Sequence, residues 1–98
     1  MACRCTGWKT IHGGERAEKR CGPKTASGHR RVYGVVAFAE LGVDDDNWFR
    51  PTVSVRNDQG FTMSTVRGSL VLGMKAAKKV ADGMLADECR SRGFGGRR

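Results

Sequence analysis

The chain has 98 residues, 39% hydrophobic and 29% charged, and its 18 Lys and Arg outweigh 10 Asp and Glu to leave a net charge of +8. A chain of this length makes one domain with a modest core and leaves no room for a large enzyme cleft. No apolar run is long enough to span a bilayer, and the first thirty residues, rich in Arg, Lys and Gly, hold no stretch resembling a signal peptide, so a soluble cytoplasmic protein that avoids membranes is expected.

Residues 1–30 show no hydrophobic periodicity, and only Trp8 and Ile11 stand out as apolar anchors; the segment reads as an irregular, basic N-terminal arm. From Arg31 to Leu41, apolar residues fall on both alternating faces, which predicts a central strand. Gly42 to Asn47, with Asp44, Asp45 and Asp46 in a row, is a polar connection. A second strand over Trp48 to Arg56 places Phe49, Val53 and Val55 on one side and Trp48, Arg50, Thr52, Ser54 and Arg56 on the other. Pro51 lacks a backbone donor and points to an edge or a bulge there. Asn57-Asp58-Gln59-Gly60 supplies turn residues for a hairpin into a third strand, Phe61 to Arg67, with Phe61 and Met63 expected on its buried side.

The period then changes. Leu70, Met74, Ala77, Val80, Ala81, Met84 and Leu85 recur at three- and four-residue steps, predicting an amphipathic helix from Ser69, its N-cap, to about Arg90, with Gly93 following its end. Gly73 inside that span suggests close approach to the sheet. Residues 91–98 form a flexible tail of Gly and Arg. The resulting expectation is an α+β fold: a three-stranded antiparallel meander packed on one long C-terminal helix, with arm (1–30), body (31–90) and basic tail (91–98).

Charge is unevenly spread along the chain. Residues 1–31 hold eight cations against two carboxylates and residues 67–98 eight against three, whereas residues 32–66 hold two against five. Clustered Lys and Arg favour a polyanion, because neutralising phosphates releases condensed counterions. One face of the sheet is left open by a single helix, and Trp48, Arg50 and Arg56 project from it, a combination suited to stacking on bases while pairing with phosphates. Arg67, then Lys75, Lys78 and Lys79 on the helix, form a second phosphate-contacting stripe, to which Arg30 and Arg31 and the tail residues Arg92, Arg97 and Arg98 add charge. Point-charge lysines carry no code for reading bases. The alternative for each group is an ordinary solvated surface, or, for Trp48, burial against Trp8 or Ile11.

The hairpin and helix from Trp48 to Leu85, including Gly73-Met74-Lys75-Ala76-Ala77-Lys78-Lys79-Val80-Ala81, resemble the last two strands and helix of double-stranded RNA-binding domains. They are also similar to the three-strands-and-helix DNA-binding domains of the plant ethylene-response and phage integrase-arm types. The similarity covers under half of the chain, lacks the first helix of the RNA-binding family, and implies fold alone.

Cys3, Cys5, Cys21 and Cys89 could hold a structural zinc, with His12 or His29 as a substitute ligand for Cys89, although paired spacing is absent. Free thiols suit the expected compartment better, and disulfides least. No catalytic constellation is legible: Gly22-Pro23-Lys24-Thr25 is interrupted as a phosphate loop, and Ser27 and His29 have no orienting carboxylate. A non-enzymatic nucleic-acid-binding module is therefore expected, whether for DNA or RNA. The competing function is a phage- or mobile-element-type interaction protein that inhibits a larger nucleic-acid-processing or CRISPR complex, with Asp44, Asp45 and Asp46 as partner contacts.

Overall fold

The computed structural model describes residues 3–39 and 47–94. In chain order they form β1 (Lys9–Ile11), a 3-10 turn at His12–Gly14, β2 (Arg16–Lys24), β3 (Arg30–Ala39), β4 (Trp48–Arg56), β5 (Thr62–Arg67), β6 (Val71–Leu72) and α1 (Met74–Ser91). Strands β1 to β5 run as an antiparallel meander, and β6 pairs with β4 on the same side as β5. The class is α+β as expected, but the sheet has six strands where three were predicted.

The extra strands come chiefly from the segment read as an irregular arm. In β2, Arg16, Glu18 and Arg20 alternate with Ala17, Lys19 and Cys21, and Ala17 and Cys21 are fully buried under α1. A strand whose inward positions are Ala, Lys and Cys has no apolar signature. Lys19 is tolerated on that side because its amine pairs with Asp82 of α1 at 2.7 Å and lies 5.6 Å from the centre of the Trp8 ring. Trp8 donates its indole N–H to the same carboxylate, at 3.1 Å.

Strands β3 and β4 sit where the three-strand pattern put them. Val32 and Val36 of β3 and Phe49, Val53 and Val55 of β4 face Ala77, Ala81, Leu85 and Cys89, the four-residue stripe of α1. This packing is close at Gly34, where a Cβ would stand 2.9 Å from a methyl of Leu85. Gly73, expected to allow that approach, instead precedes α1 with φ at 90° and has open space around it.

The helix starts at Met74, five residues after the predicted Ser69 cap, because Val71 and Leu72 pair with Phe49 and Trp48 as β6. Between β5 and β6 the chain crosses Pro51, whose carbonyl accepts the Gly68 N–H at 2.8 Å. In an extended strand the nitrogen and carbonyl of one residue point to the same side, so the donor Pro51 lacks falls at this interruption of the ladder. At its other end α1 closes as anticipated: Gly93 takes φ 75°, its N–H reaches Arg90 O, and the Phe94 N–H reaches Cys89 O.

The β4–β5 turn also forms as read, with Asn57 Oδ1 accepting from the backbone of Gln59 and Phe61 and Gly60 at φ 95°. Phe61 and Met63, however, are 71% and 51% exposed, not buried. The reason is reach: α1 packs on β3 and β4 and touches β2 and β6, but does not extend over β5.

The cysteines are joined in pairs, Cys3 to Cys89 and Cys5 to Cys21, in place of the free thiols or zinc centre expected from the sequence. A disulfide sulfur offers a metal no thiolate, and no cluster of metal-ligating side chains occurs among the described residues. Cys3–Cys89 fastens the start of the chain to the end of α1, and Cys5–Cys21 fastens it to β2.

Candidate nucleic-acid interface

Residues paired across an antiparallel sheet share a face. The β3–β4 register sets Tyr33 beside Ser54, Val35 beside Thr52, Ala37 beside Arg50 and Ala39 beside Trp48, all on the side away from α1. To this open face β2 adds Arg16, Glu18 and Arg20, β1 adds Lys9 opposite Glu18, and β5 adds Arg67 opposite Thr52. Apart from Arg31, which turns to Arg56 O and the Phe94 ring, its described strand positions therefore carry six cations, Lys9, Arg16, Arg20, Arg50, Arg56 and Arg67, and one carboxylate, Glu18.

That carboxylate sits between two guanidiniums, 2.9 Å from Arg16 Nε and 3.4 Å from Arg20 Nη2. Its side chain is 15% exposed, against 37% for Arg16 and 42% for Arg20, so the cations stand above it and reach solvent. Tyr33 lies among them: Arg16 Nη2 donates to its hydroxyl at 3.4 Å, and the Arg20 and Arg56 guanidiniums lie 4.8 and 5.7 Å from its ring centre. Hydrogen bonds from Tyr33 and then Arg16 hold the Glu18 carboxyl below its ordinary range. Burial, followed by its bond to Glu18, pushes the Tyr33 phenol up. Tyr33 thus stays protonated and Glu18 ionised across the neutral range.

The residues singled out from sequence divide into separate places. Trp48, Arg50 and Arg56 do share the open face, joined by Arg67. Trp48 is half-buried there; Trp8 packs against the core beneath α1, and Ile11 pairs with Arg16 on the far side of β2 and β3 from β4. Arg50 leans toward the sheet edge, donating to Gly68 O at 3.0 Å. Lys75, Lys78 and Lys79 lie on α1, in the opposite layer, with Lys78 reaching Thr10 Oγ1 at 3.5 Å. Arg92 follows α1 and pairs with Glu88 at 3.7 Å.

Arg30 and Arg31, at the start of β3, are turned to local partners: Arg30 donates to Gly22 O at 2.8 Å, and Arg31 donates to Arg56 O at 3.0 Å while covering the Phe94 ring. Asp44, Asp45, Asp46, Arg97 and Arg98 lie outside the described residues. Lys9, Arg16 and Arg20 lie in the segment whose pattern marks it as an irregular arm, whereas Tyr33 lies on the expected central strand and carries no sequence signal that ties it to Trp48 and Arg56. The alternation of Arg16, Glu18 and Arg20 was the available signal. Searches against protein-family models, curated proteins and solved structures return no match to this chain, which leaves the geometry of the open face as the ground for a functional reading.

Proposed function

We propose that this protein is a small, non-enzymatic nucleic-acid-binding module that uses the open face of its sheet to neutralise phosphates. The supporting observation is the gathering of six cations from four strands around one partly covered carboxylate, with Tyr33 and Trp48 among them. Arginine suits this task because its planar fork pairs with phosphate oxygens in two places at once. The lysines of α1 face another direction, so they contribute to the long-range field more than to contacts with the same stretch of ligand.

Fluorescence anisotropy with labelled DNA and RNA oligonucleotides over a salt series tests the proposal. Neutralising about six phosphates gives a slope of log K against log salt of roughly −4 to −5, a loss of two to three orders of magnitude between 50 and 200 mM. Changing Arg16, Arg20, Arg50 or Arg67 singly to Gln reduces the slope by about one; changing Lys75 or Lys79 leaves it nearly unchanged. Absence of binding to every DNA and RNA probe at low salt overturns the proposal.

A second reading, an interaction protein acting on a larger nucleic-acid-processing complex, is favoured by Phe61 and Met63, which the fold leaves exposed at the β4–β5 hairpin. It calls for a protein partner retained through nuclease digestion and lost on Phe61→Ser with Met63→Ser. Retention of the same partner by that double variant counts against it.

A further inference from the structure

We infer that the open face takes up a single strand of nucleic acid and does not dock on a duplex; this rests on the nucleic-acid reading above. The ground is the relief of the face. Its middle is built from small side chains, Val35, Ala37 and Ala39 of β3 and Thr52 and Ser54 of β4. The long cations stand to either side: Lys9, Arg16 and Arg20 on β1 and β2, Arg50, Arg56 and Arg67 on β4 and β5. With neighbouring strands about 4.8 Å apart, the backbones carrying these two banks are roughly 10 Å (β2 to β4) to 14 Å (β2 to β5) from each other.

The direction of that relief decides the substrate class. An element that reads a duplex is convex and enters a groove, about 12 Å wide on the major side, so that its central side chains meet the base edges. Along β3 the floor is low, and Val35, Ala37 and Ala39 present no Asn, Gln or Arg to a base edge; Arg50 stands beside Ala37 as part of the β4 bank. A single strand can lie along β3 in the depression with its phosphates toward the guanidiniums and its bases against the floor.

The two ends of the depression differ. Tyr33 closes one end, but its ring already lies among the guanidiniums of Arg20 and Arg56 and is poorly placed to stack on a base. Trp48, opposite Ala39 at the other end, is the aromatic group on this face not flanked in that way among the described residues. From Tyr33 to Ala39 the strand covers roughly 20 Å, enough for a few nucleotides.

The test compares single-stranded oligo(dT) and oligo(U), about eight nucleotides long, with mixed-sequence DNA and RNA duplexes of the same length, by anisotropy at one fixed low salt. The expected result is at least tenfold tighter binding of the single strands. Ala37→Leu and Thr52→Leu, each of which raises the floor without changing charge, are expected to weaken single-strand binding at least fivefold while retaining the wild-type Tm and circular dichroism. Trp48→Leu lowers it by a similar factor. Duplex binding equal to or tighter than single-strand binding, or floor variants that fold and bind as the wild type does, overturns this inference and leaves the binding module standing. Failure of every probe to bind overturns both.

Discussion

Glu18 is the residue on which the electrostatics of the open face turn. It accepts from one N–H donor of each of Arg16 and Arg20, and so withholds part of their charge from an incoming phosphate. Glu18→Gln is expected to tighten oligonucleotide binding and steepen its salt dependence by up to about one phosphate equivalent, measured by anisotropy. The same carboxylate links stability to pH. Because its folded pKa lies below the ordinary value of 4.5, its stabilising contribution is fully present above 4.5 and fades as pH falls through the folded value. The Tm difference between wild type and Glu18→Gln should therefore be constant from neutral pH down to about 5 and shrink under more acidic conditions. A difference that grows with acidity would contradict this assignment.

At the scale of elements, the contact between α1 and β3 depends on the absence of one side chain. Gly34 lies under Leu85, where an added Cβ meets its methyls at 2.9 and 3.0 Å, so Gly34→Ala should destabilise by about 1 to 3 kcal/mol through overpacking. Gly83 offers the opposite case, since it lies inside α1 with nothing near its virtual Cβ. Gly83→Ala should stabilise by about 0.5 to 1 kcal/mol. Urea denaturation of the two variants against wild type measures both signs. The second and third predicted strands and the turn between them were legible because alternation and turn chemistry are local properties. The start of α1 was not, because Leu70 fits the helical period of Met74 and Ala77, while only β4 offers Val71 and Leu72 a strand partner. Strand β2 escaped notice for a related reason: Lys19 occupies an inward position that is tenable only beside Asp82, 63 residues away.

For the whole molecule, two covalent links carry the N-terminal segment. One joins residues 86 apart and the other residues 16 apart, and both tie the stretch before β1 into the body. Disulfides of this kind persist in oxidising surroundings. A thiol reagent should find no free cysteine in the native protein and four after reduction in denaturant. Cys3→Ser with Cys89→Ser should lower stability by about 2 to 4 kcal/mol, read by chemical denaturation in the absence of reductant, chiefly by releasing the unfolded chain from a long loop. No described helix is long and apolar enough to cross a membrane. Among the described residues the two layers also separate the cations: those of the open face look one way and the lysines of α1 the other, so they do not form a single surface.

Alternation, turn residues and helical period determined the α+β class, the β3 to β5 meander, the C-terminal helix and the projection of Trp48, Arg50 and Arg56 from one face, because each follows from neighbours within a few residues. Tertiary structure alone decided that Lys9–Ile11 and Arg16–Lys24 extend the sheet, that the cysteines pair, and that Arg16, Arg20 and Tyr33 join that face while the lysines of α1 do not. Those outcomes depend on which distant groups compensate one another, as Asp82 does for Lys19 and Cys89 for Cys3, and spacing along the chain does not encode such pairings.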